Sequence, residues 1–278
     1  MAISIAFSDL TGNAGDAVTA TTNSSAVIFD RAVPTLSAVT VTSNNDNSAY
    51  AKEGDIVTLS FTSSENLQSD PTVTIDGNAA TVSGSNTTWT AAYTMQSGDT
   101  EGDVNFTIDF LDLASNSGSQ VTTLTSGDKI VYDETVPTLP TVDISSNNSN
   151  GATFAKVGDV ITISVSASEN IQTPTVTIAG NAAAIATGSN GETVYTATYT
   201  MQSSDNTGVI PFTVDFSDMA NNAGTQVAAV ANDSDGGVTF DKQAPSFATV
   251  TMSSNNSTST LAIVNDVITI NLTSDEAI

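Results

Sequence analysis

The residues in this sequence that can do chemistry are acids and amides that recur at matched spacings. Asp30 in Asp-Arg-Ala-Val-Pro34, Asp133 in Asp-Glu-Thr-Val-Pro137 and Asp241 in Asp-Lys-Gln-Ala-Pro245 form one set. Glu65, Glu169 and Glu276 form a second, and Asp112 with Asn116 and Asp218 with Asn222 form a third. Every donor in these sets is an oxygen, which is what a hard cation such as Ca²⁺ takes when several loops converge. Taken singly, each motif reads first as a loop acid capping backbone groups. Taken together, carboxylates gathered without a counter-charge destabilise a fold unless a metal sits among them.

The rest of the composition narrows the chemistry. The chain has 278 residues, no histidine and no cysteine, so disulfides, thiolates, imidazole acid–base work and nearly all zinc, copper, iron and haem sites are excluded. Five Lys+Arg against thirty Asp+Glu give a net charge of −25, which excludes phosphate-neutralising nucleic-acid binding and attraction to an anionic membrane. Any charged partner should be cationic. At 39% hydrophobic the chain can build a core, and with 13% charged residues its remaining surface polarity comes from Ser, Thr and Asn. Small β-domains without cysteine point to a bacterial or archaeal surface protein, ahead of a cytosolic one. The start, Met1-Ala-Ile-Ser-Ile-Ala-Phe-Ser-Asp9, has neither the basic nor the long apolar region of a signal peptide, no run is long enough to span a membrane, and the chain reads as a piece of something longer.

The sets recur because the whole sequence does. Ser63-Ser-Glu-Asn66 returns as Ala167-Ser-Glu-Asn170, and Tyr93-Thr-Met-Gln-Ser97 returns as Tyr199-Thr-Met-Gln-Ser203. Asp109-Phe-Leu-Asp-Leu-Ala-Ser-Asn-Ser-Gly118 returns as Asp215-Phe-Ser-Asp-Met-Ala-Asn-Asn-Ala-Gly224, with an echo at Ala6–Gly15. Pro34, Pro137 and Pro245 set a period of about a hundred residues, the size of one small domain. The expected organisation is two complete copies, 34–136 and 137–244, flanked by the last third of a copy at 1–33 and the first third of another at 245–278.

Elements that could position the acids follow from apolar alternation with period two. Val57, Leu59 and Phe61 match Ile161, Ile163 and Val165, and also Ile268, Ile270 and Leu272. Within a copy, strands are expected near Val39–Ser43, Ile56–Thr62, Thr72–Val82 with its hairpin, Thr88–Met95, Val104–Phe110 and Gln120–Tyr132, and no segment has a capped helical period. The expected fold is all-β: tandem Ig-like Greek-key sandwiches forming an extended rod. That topology brings the incoming linker, the loop after the second strand and the loop before the last strand to one end. Ca²⁺ is therefore expected at Asp30, Glu65 and Asp112, and again at Asp133, Glu169 and Asp218.

Other polar clusters read as structural. Asn232-Asp-Ser-Asp-Gly-Gly237 opens like a calcium loop, but Ala244 stands where a closing Glu is needed, so it reads as a turn. Asp99, Glu101 and Asp103 read as a solvated hairpin tip, and the Asn-rich stretches Ser43–Ser48, Ser145–Asn150 and Ser253–Ser259 read as flexible loops. Trp89 and Tyr195, at equivalent positions, read as core or edge packing.

The Asp-x-x-x-Pro linkers, the Ser-Glu-Asn loops and the Asp-Leu-Ala-Ser-Asn-Ser-Gly118 and Asp-Met-Ala-Asn-Asn-Ala-Gly224 segments resemble tandem bacterial Ig-like repeats of giant surface adhesins. The resemblance implies extracellular rods stiffened by Ca²⁺ at their junctions, as in cadherins, in proteins exported by type I secretion and used in adhesion or biofilm. It implies a non-catalytic extender whose partners are neighbouring repeats of the same chain or of a homopolymer, with the host-surface or matrix ligand held elsewhere in the parent protein. Glu276 departs from the pattern, lying in Ser-Asp-Glu-Ala without the Asn. The other class of reading is a filament subunit whose neighbours supply strands across each joint, although joining 1–33 to 245–278 omits the strands of Thr72–Met95. Catalysis would have only glycosidase-type carboxylate pairs, each duplicated a repeat away. Exposed Thr offers a further reading as a carbohydrate- or ice-binding face.

Overall fold

A computed structural model describes residues 2–229 and 237–277, and no helix occurs among them. The chain divides into two compact units, Met1–Val136 with Met219–Asn222, and Pro137–Asp218 with Ala223–Ile278.

In the first unit the strands are β1 (Leu36–Ser43), β2 (Tyr50–Ala51), β3 (Ile56–Ser63), β4 (Thr72–Ile75), β5 (Asn78–Ala79), β6 (Thr81–Ser85), β7 (Thr88–Thr94), β8 (Gly102–Asp103), β9 (Phe106–Asp109) and β10 (Val131–Tyr132). They form a four-stranded sheet in the order β1-β3-β7-β6 and three-stranded sheets β5-β4-β9 and β2-β10-β8. The second unit repeats this with β11 (Thr141–Ser146), β12 (Phe154–Ala155), β13 (Val160–Ile171), β14 (Thr175–Ile178), β15 (Asn181–Ala182), β16 (Ala184–Thr187), β17 (Glu192–Thr200), β18 (Gly208–Val209), β19 (Phe212–Asp215) and β20 (Thr239–Phe240). Its sheets are β11-β13-β17-β16, β15-β14-β19 and β12-β20-β18. A hairpin of β21 (Phe247–Ser254) and β22 (Ile268–Ser274) ends the unit.

Period-two alternation builds each core. On β3, Val57, Leu59 and Phe61 are buried while the residues between them are not. Across on β7, Ala91 faces Leu59 and Trp89 faces Phe61, and Phe106 and Ile108 of β9 join the same core. Ile161, Ile163 and Val165 of β13 face Tyr199, Ala197 and Tyr195 of β17 and share a core with Phe212 and Val214 of β19. Burying each large aliphatic side chain contributes about 1.5–3 kcal/mol. Trp89 and Tyr195 are core residues, as expected. The Tyr195 hydroxyl donates to the Ile171 carbonyl at 2.8 Å, whereas the buried Trp89 indole N–H has no partner.

Three local expectations change. The stretch Thr72–Val82 is not one hairpin: Asp76 and Gly77, both with positive φ, close a two-residue turn between β4 and β5, and after Ala80 the chain crosses to pair β6 with β7. The stretch Gln120–Tyr132 is not one strand either. Val121 makes an isolated bridge to Ile108, and only Val131–Tyr132 resumes a ladder, parallel to β2 and antiparallel to β8. Finally, the Asn-rich stretches are pinned rather than loose. Asn45 Nδ2 donates to Asp55 Oδ2 at 2.7 Å, and Asn148 to Asp159 and Asn256 to Asp266 do the same at 2.6 and 2.9 Å. Asn44, Asn147 and Asn255 accept from the backbone of Ile56, Val160 and Val267 at 2.7–3.0 Å.

Candidate metal centre

Asp112 is held by the loop that follows β9. Its Oδ1 accepts the backbone N–H groups of Ala114 and Asn116, each at 2.8 Å, and its Oδ2 accepts Asn116 Nδ2 at 2.7 Å. Ser115 takes a positive φ of 69° to make that wrap possible, and Asp112 bridges to Leu67 in the loop after β3. The carboxylate is fully buried. Burial acts to raise its pKa, but the hydrogen bonds from Asn116, Ala114 and Ser115 outweigh it and hold the group below the usual range.

Glu65 comes from the turn that ends β3, and this turn is tied to the linker. Ser64 N donates to the Thr35 carbonyl at 2.8 Å, Thr35 N donates to Ser64 Oγ at 3.0 Å, and Ser63 Oγ donates to the Glu65 carbonyl at 2.7 Å. Asp30, on the other side of Pro34, closes its own turn by accepting Ala32 N at 2.9 Å. These constraints bring one carboxylate oxygen from each of Asp30, Glu65 and Asp112 within 4.8 Å of one another. No Lys or Arg pairs with them among the described residues, and Arg31 lies with Cζ 5.7 Å from the centroid of the Phe29 ring. Burial, then the charges of Asp30 and Asp112, push the Glu65 carboxyl above its ordinary pKa.

The group fits a hard cation. Ligand oxygens at about 2.3–2.6 Å from Ca²⁺ lie no more than about 5 Å apart, so three oxygens within 4.8 Å can share one ion. All three are carboxylates, the donor class that Ca²⁺ selects.

Asn116, expected as an oxygen ligand, also positions the neighbouring acid. Its amide N–H groups bind Asp112, so it orients the carboxylate from behind. Asn222 groups with the first unit, and its Nδ2 donates to the Asp133 carbonyl at 2.8 Å. Asp133 follows β10, where its N–H donates to the Ala51 carbonyl at 2.9 Å and its Oδ1 accepts Thr135 N at 3.0 Å. In the second unit Asp218 bridges to Ile171 as Asp112 does to Leu67, and Gln172 Nε2 donates to the Asp218 carbonyl at 2.9 Å. Glu169 lies near the end of β13, and Ser168 exchanges hydrogen bonds with Thr138 as Ser64 does with Thr35.

The third set is partly assembled. Asp241 N donates to the Ala155 carbonyl at 2.9 Å, and its Oδ1 closes a turn on Gln243 N at 2.9 Å. Glu276 is pushed above its ordinary pKa by burial and by Asp241 and Asp275, and it shares a side-chain hydrogen bond with Asp241. Asp275 replaces the serine of the complete copies and binds Ser246 through both carboxylate oxygens, at 2.8 and 2.6 Å.

Comparison of the sequence with protein-family models and with curated proteins finds no match. The reading of the site therefore rests on its geometry.

The sequence echo at Ala6–Gly15 hid a further residue of the same design. Asp9 accepts Thr11 N and Asn13 N at 2.9 Å and Asn13 Nδ2 at 2.8 Å, and these bonds, that of the Asn13 side chain first, hold its pKa far below the usual range. The signal was Asn four residues after the Asp, shared with Asp112 and Asn116. The acids expected at a solvated tip are likewise engaged. Asp99 accepts Tyr93 Oη at 3.2 Å, Asn78 Nδ2 at 3.0 Å and Gln96 N at 2.7 Å, Glu101 accepts Thr135 Oγ1 at 2.7 Å, and Asp103 pairs with Lys129 at 2.9 Å. Residues 232–236 of the calcium-loop-like turn lie outside the described residues.

Proposed function

We propose that this chain is a non-catalytic extender segment of a bacterial cell-surface adhesin. In this reading its repeats are Ig-like Greek-key sandwiches strung into an extracellular rod, and Ca²⁺ stiffens the linkers. The observation that supports it best is the meeting of Asp30, Glu65 and Asp112 beside the linker that enters the first complete copy. The recurrence of the sequence extends the same expectation to Asp133, Glu169 and Asp218. Repetition favours a spacer, because a spacer uses many equal units where an enzyme needs one site. Each sandwich would add roughly 35–45 Å, from strands of about ten residues and a junction. Sites of this extracellular class bind at about 10⁻⁴–10⁻³ M and would be filled outside a cell.

The test is a calcium titration followed by melting and by small-angle scattering. Ca²⁺ should raise the melting temperature and lengthen the maximum dimension, and chelator should reverse both while the β signature persists. At a hundredfold excess over Kd, each site contributes about 2.7 kcal/mol. Identical melting and scattering in calcium and in chelator would sink the metal reading, and a compact profile in calcium would sink the rod.

A further inference from the structure

The residue after the linker aspartate has opposite charge in the two complete copies, Glu134 in one and Lys242 in the other, yet both side chains reach the same turn. That turn follows β7 in the first unit and β17 in the second, and it is built alike in both. Gln96 N and Gln202 N donate to Oδ2 of Asp99 and of Asp205, each at 2.7 Å, and each aspartate N–H returns to the glutamine carbonyl at 3.1 Å. Tyr93 and Tyr199 donate to Oδ1 of the same aspartates, both at 3.2 Å. With its aspartate engaged in this way, the turn meets the linker through its backbone.

In the first unit the linker side chain accepts. Gly98 N donates to the Glu134 carboxylate at 3.2 and 3.3 Å, and the Tyr132 hydroxyl lies 3.1 Å from Glu134 Oε2 and 2.8 Å from the Gln96 carbonyl. Glu101 completes the grip, its Oε1 accepting Glu134 N at 3.2 Å and Thr135 Oγ1 at 2.7 Å. In the second unit the linker side chain donates, Lys242 Nζ to the carbonyls of Ser203 and Asp205 at 3.1 and 2.8 Å. There Phe240 stands where Tyr132 does, and Thr207 where Glu101 does. The three exchanges agree chemically. A carboxylate only accepts and so recruits the N–H and the tyrosine hydroxyl, whereas an ammonium only donates and so takes carbonyls and has no use for the hydroxyl.

We propose that Glu134 and Lys242 are linker-positioning residues, each clasping the start of the linker to the tip turn of its own repeat without a metal, and that the two chemistries are interchangeable at that place. Hydrogen bonds with one charged partner are the strong ones, so a single side chain of either sign can hold the linker to a turn that supplies both N–H and C=O groups. The clasp keeps residues 133–136 and 241–243 ordered whether or not an ion is bound nearby. It also accounts for a linker position that tolerates a change of sign while the aspartate before it recurs.

The test is the order of the linker amides by nitrogen relaxation, measured in chelator. In the wild type the amides of Asp133–Val136 should have order parameters near 0.85, roughly, and Glu134→Ala with Glu101→Ala should bring them below about 0.6. Lys242→Ala should do the same to Asp241–Gln243 and leave Asp133–Val136 unchanged. Glu101 and Lys242 are exposed and Glu134 is half-buried, so a thermal melt of each variant reports that its core is intact. Tyr132→Phe, Glu101→Thr and Glu134→Lys together give the first unit the residues of the second, and this triple variant should regain the order that the alanine variant loses. Hydrogen exchange at Gly98 N should quicken roughly tenfold in Glu134→Ala and stay fast in the triple variant, because a lysine there takes carbonyls instead. Disordered linker amides in the wild type, unchanged order in the alanine variants, or a triple variant as loose as the alanine one would overturn the proposal. None of these outcomes bears on calcium, because no ion is present in the measurements.

Discussion

Gly118 lies against the face of Phe110 so closely that a Cβ on the glycine would sit 2.2 Å from Cε2 of the ring. The same pair recurs as Gly224 with Phe216 and Gly15 with Phe7, at 2.2 and 2.3 Å. In each, the glycine N–H also donates to the phenylalanine carbonyl at 2.9–3.0 Å, closing the loop that carries the aspartate. The glycine is required by close approach, since its own φ is not positive.

Replacing Gly118 with Ala should therefore cost about 1–3 kcal/mol, the usual range for overpacking a core that has no room. Phe110 is core and its ring cannot swing out without exposing itself, so the loop must give instead and Asp112 moves with it. Thermal melts should show the loss, and the calcium response should shrink with it. Phe110→Leu combined with Gly118→Ala should lose less than the two single changes added together, because they share one contact.

The turn at Ala179 offers a gain. Ala179 and Gly180 close the β14–β15 turn with φ of 53° and 77°, where Asp76 and Gly77 do so in the first unit. A left-handed backbone costs an alanine roughly 1–2 kcal/mol, and Asn tolerates it better. Ala179→Asn should raise stability by about 1 kcal/mol, and Ala179→Val should lower it. Equal melting temperatures for the two variants would contradict the strain argument.

These particular residues show what a sequence of this kind reveals. Leu59 and Ile163 announce their strands because two or three alternations in a row leave no other period. Tyr50–Ala51 and Val131–Tyr132 announce nothing, since a two-residue ladder has no period and depends on a partner some eighty residues away. Among the site residues, Asp30, Glu65 and Asp112 were legible from their recurrence, whereas the part played by Asn116 was not. Its donation to Asp112 engages the nitrogen of the amide and not the oxygen, and that contact depends on the wrap of residues 112–116, which no spacing announces.

Core complementarity gives a third expectation. Leu59 faces Ala91 across β3 and β7, a large residue against a small one, and both are fully buried. Leu59→Ala should cost about 2–5 kcal/mol, because the small partner cannot fill the void. Leu59→Ala with Ala91→Leu restores the volume and should recover part of the loss in chemical denaturation. No recovery would mean that the two positions are not packed together as the register places them.

The acids predict opposite pH responses on either side of about pH 4. Glu65 and Glu276 have pKa values raised above 4.5, so the folded state holds their protons more tightly than the unfolded chain does. Their contribution is therefore lost as pH rises through the raised values, and metal-free protein should gain stability as pH falls from 7 towards 4.5. Asp112, Asp159, Asp266 and Asp275 have pKa values lowered below 3.8, so what they contribute is present above that value and lost as pH falls through the lowered ones. Melting temperature in chelator should accordingly pass through a maximum near pH 4–5 and drop steeply below it. Saturating calcium should remove the gain on the acid side, because protons then compete with the ion for Glu65. Glu65→Gln should flatten the same limb in chelator and abolish its difference from calcium at Asp30 and Asp112. If the chelator and calcium profiles coincide for the wild type, Glu65 is merely crowded and holds no ion.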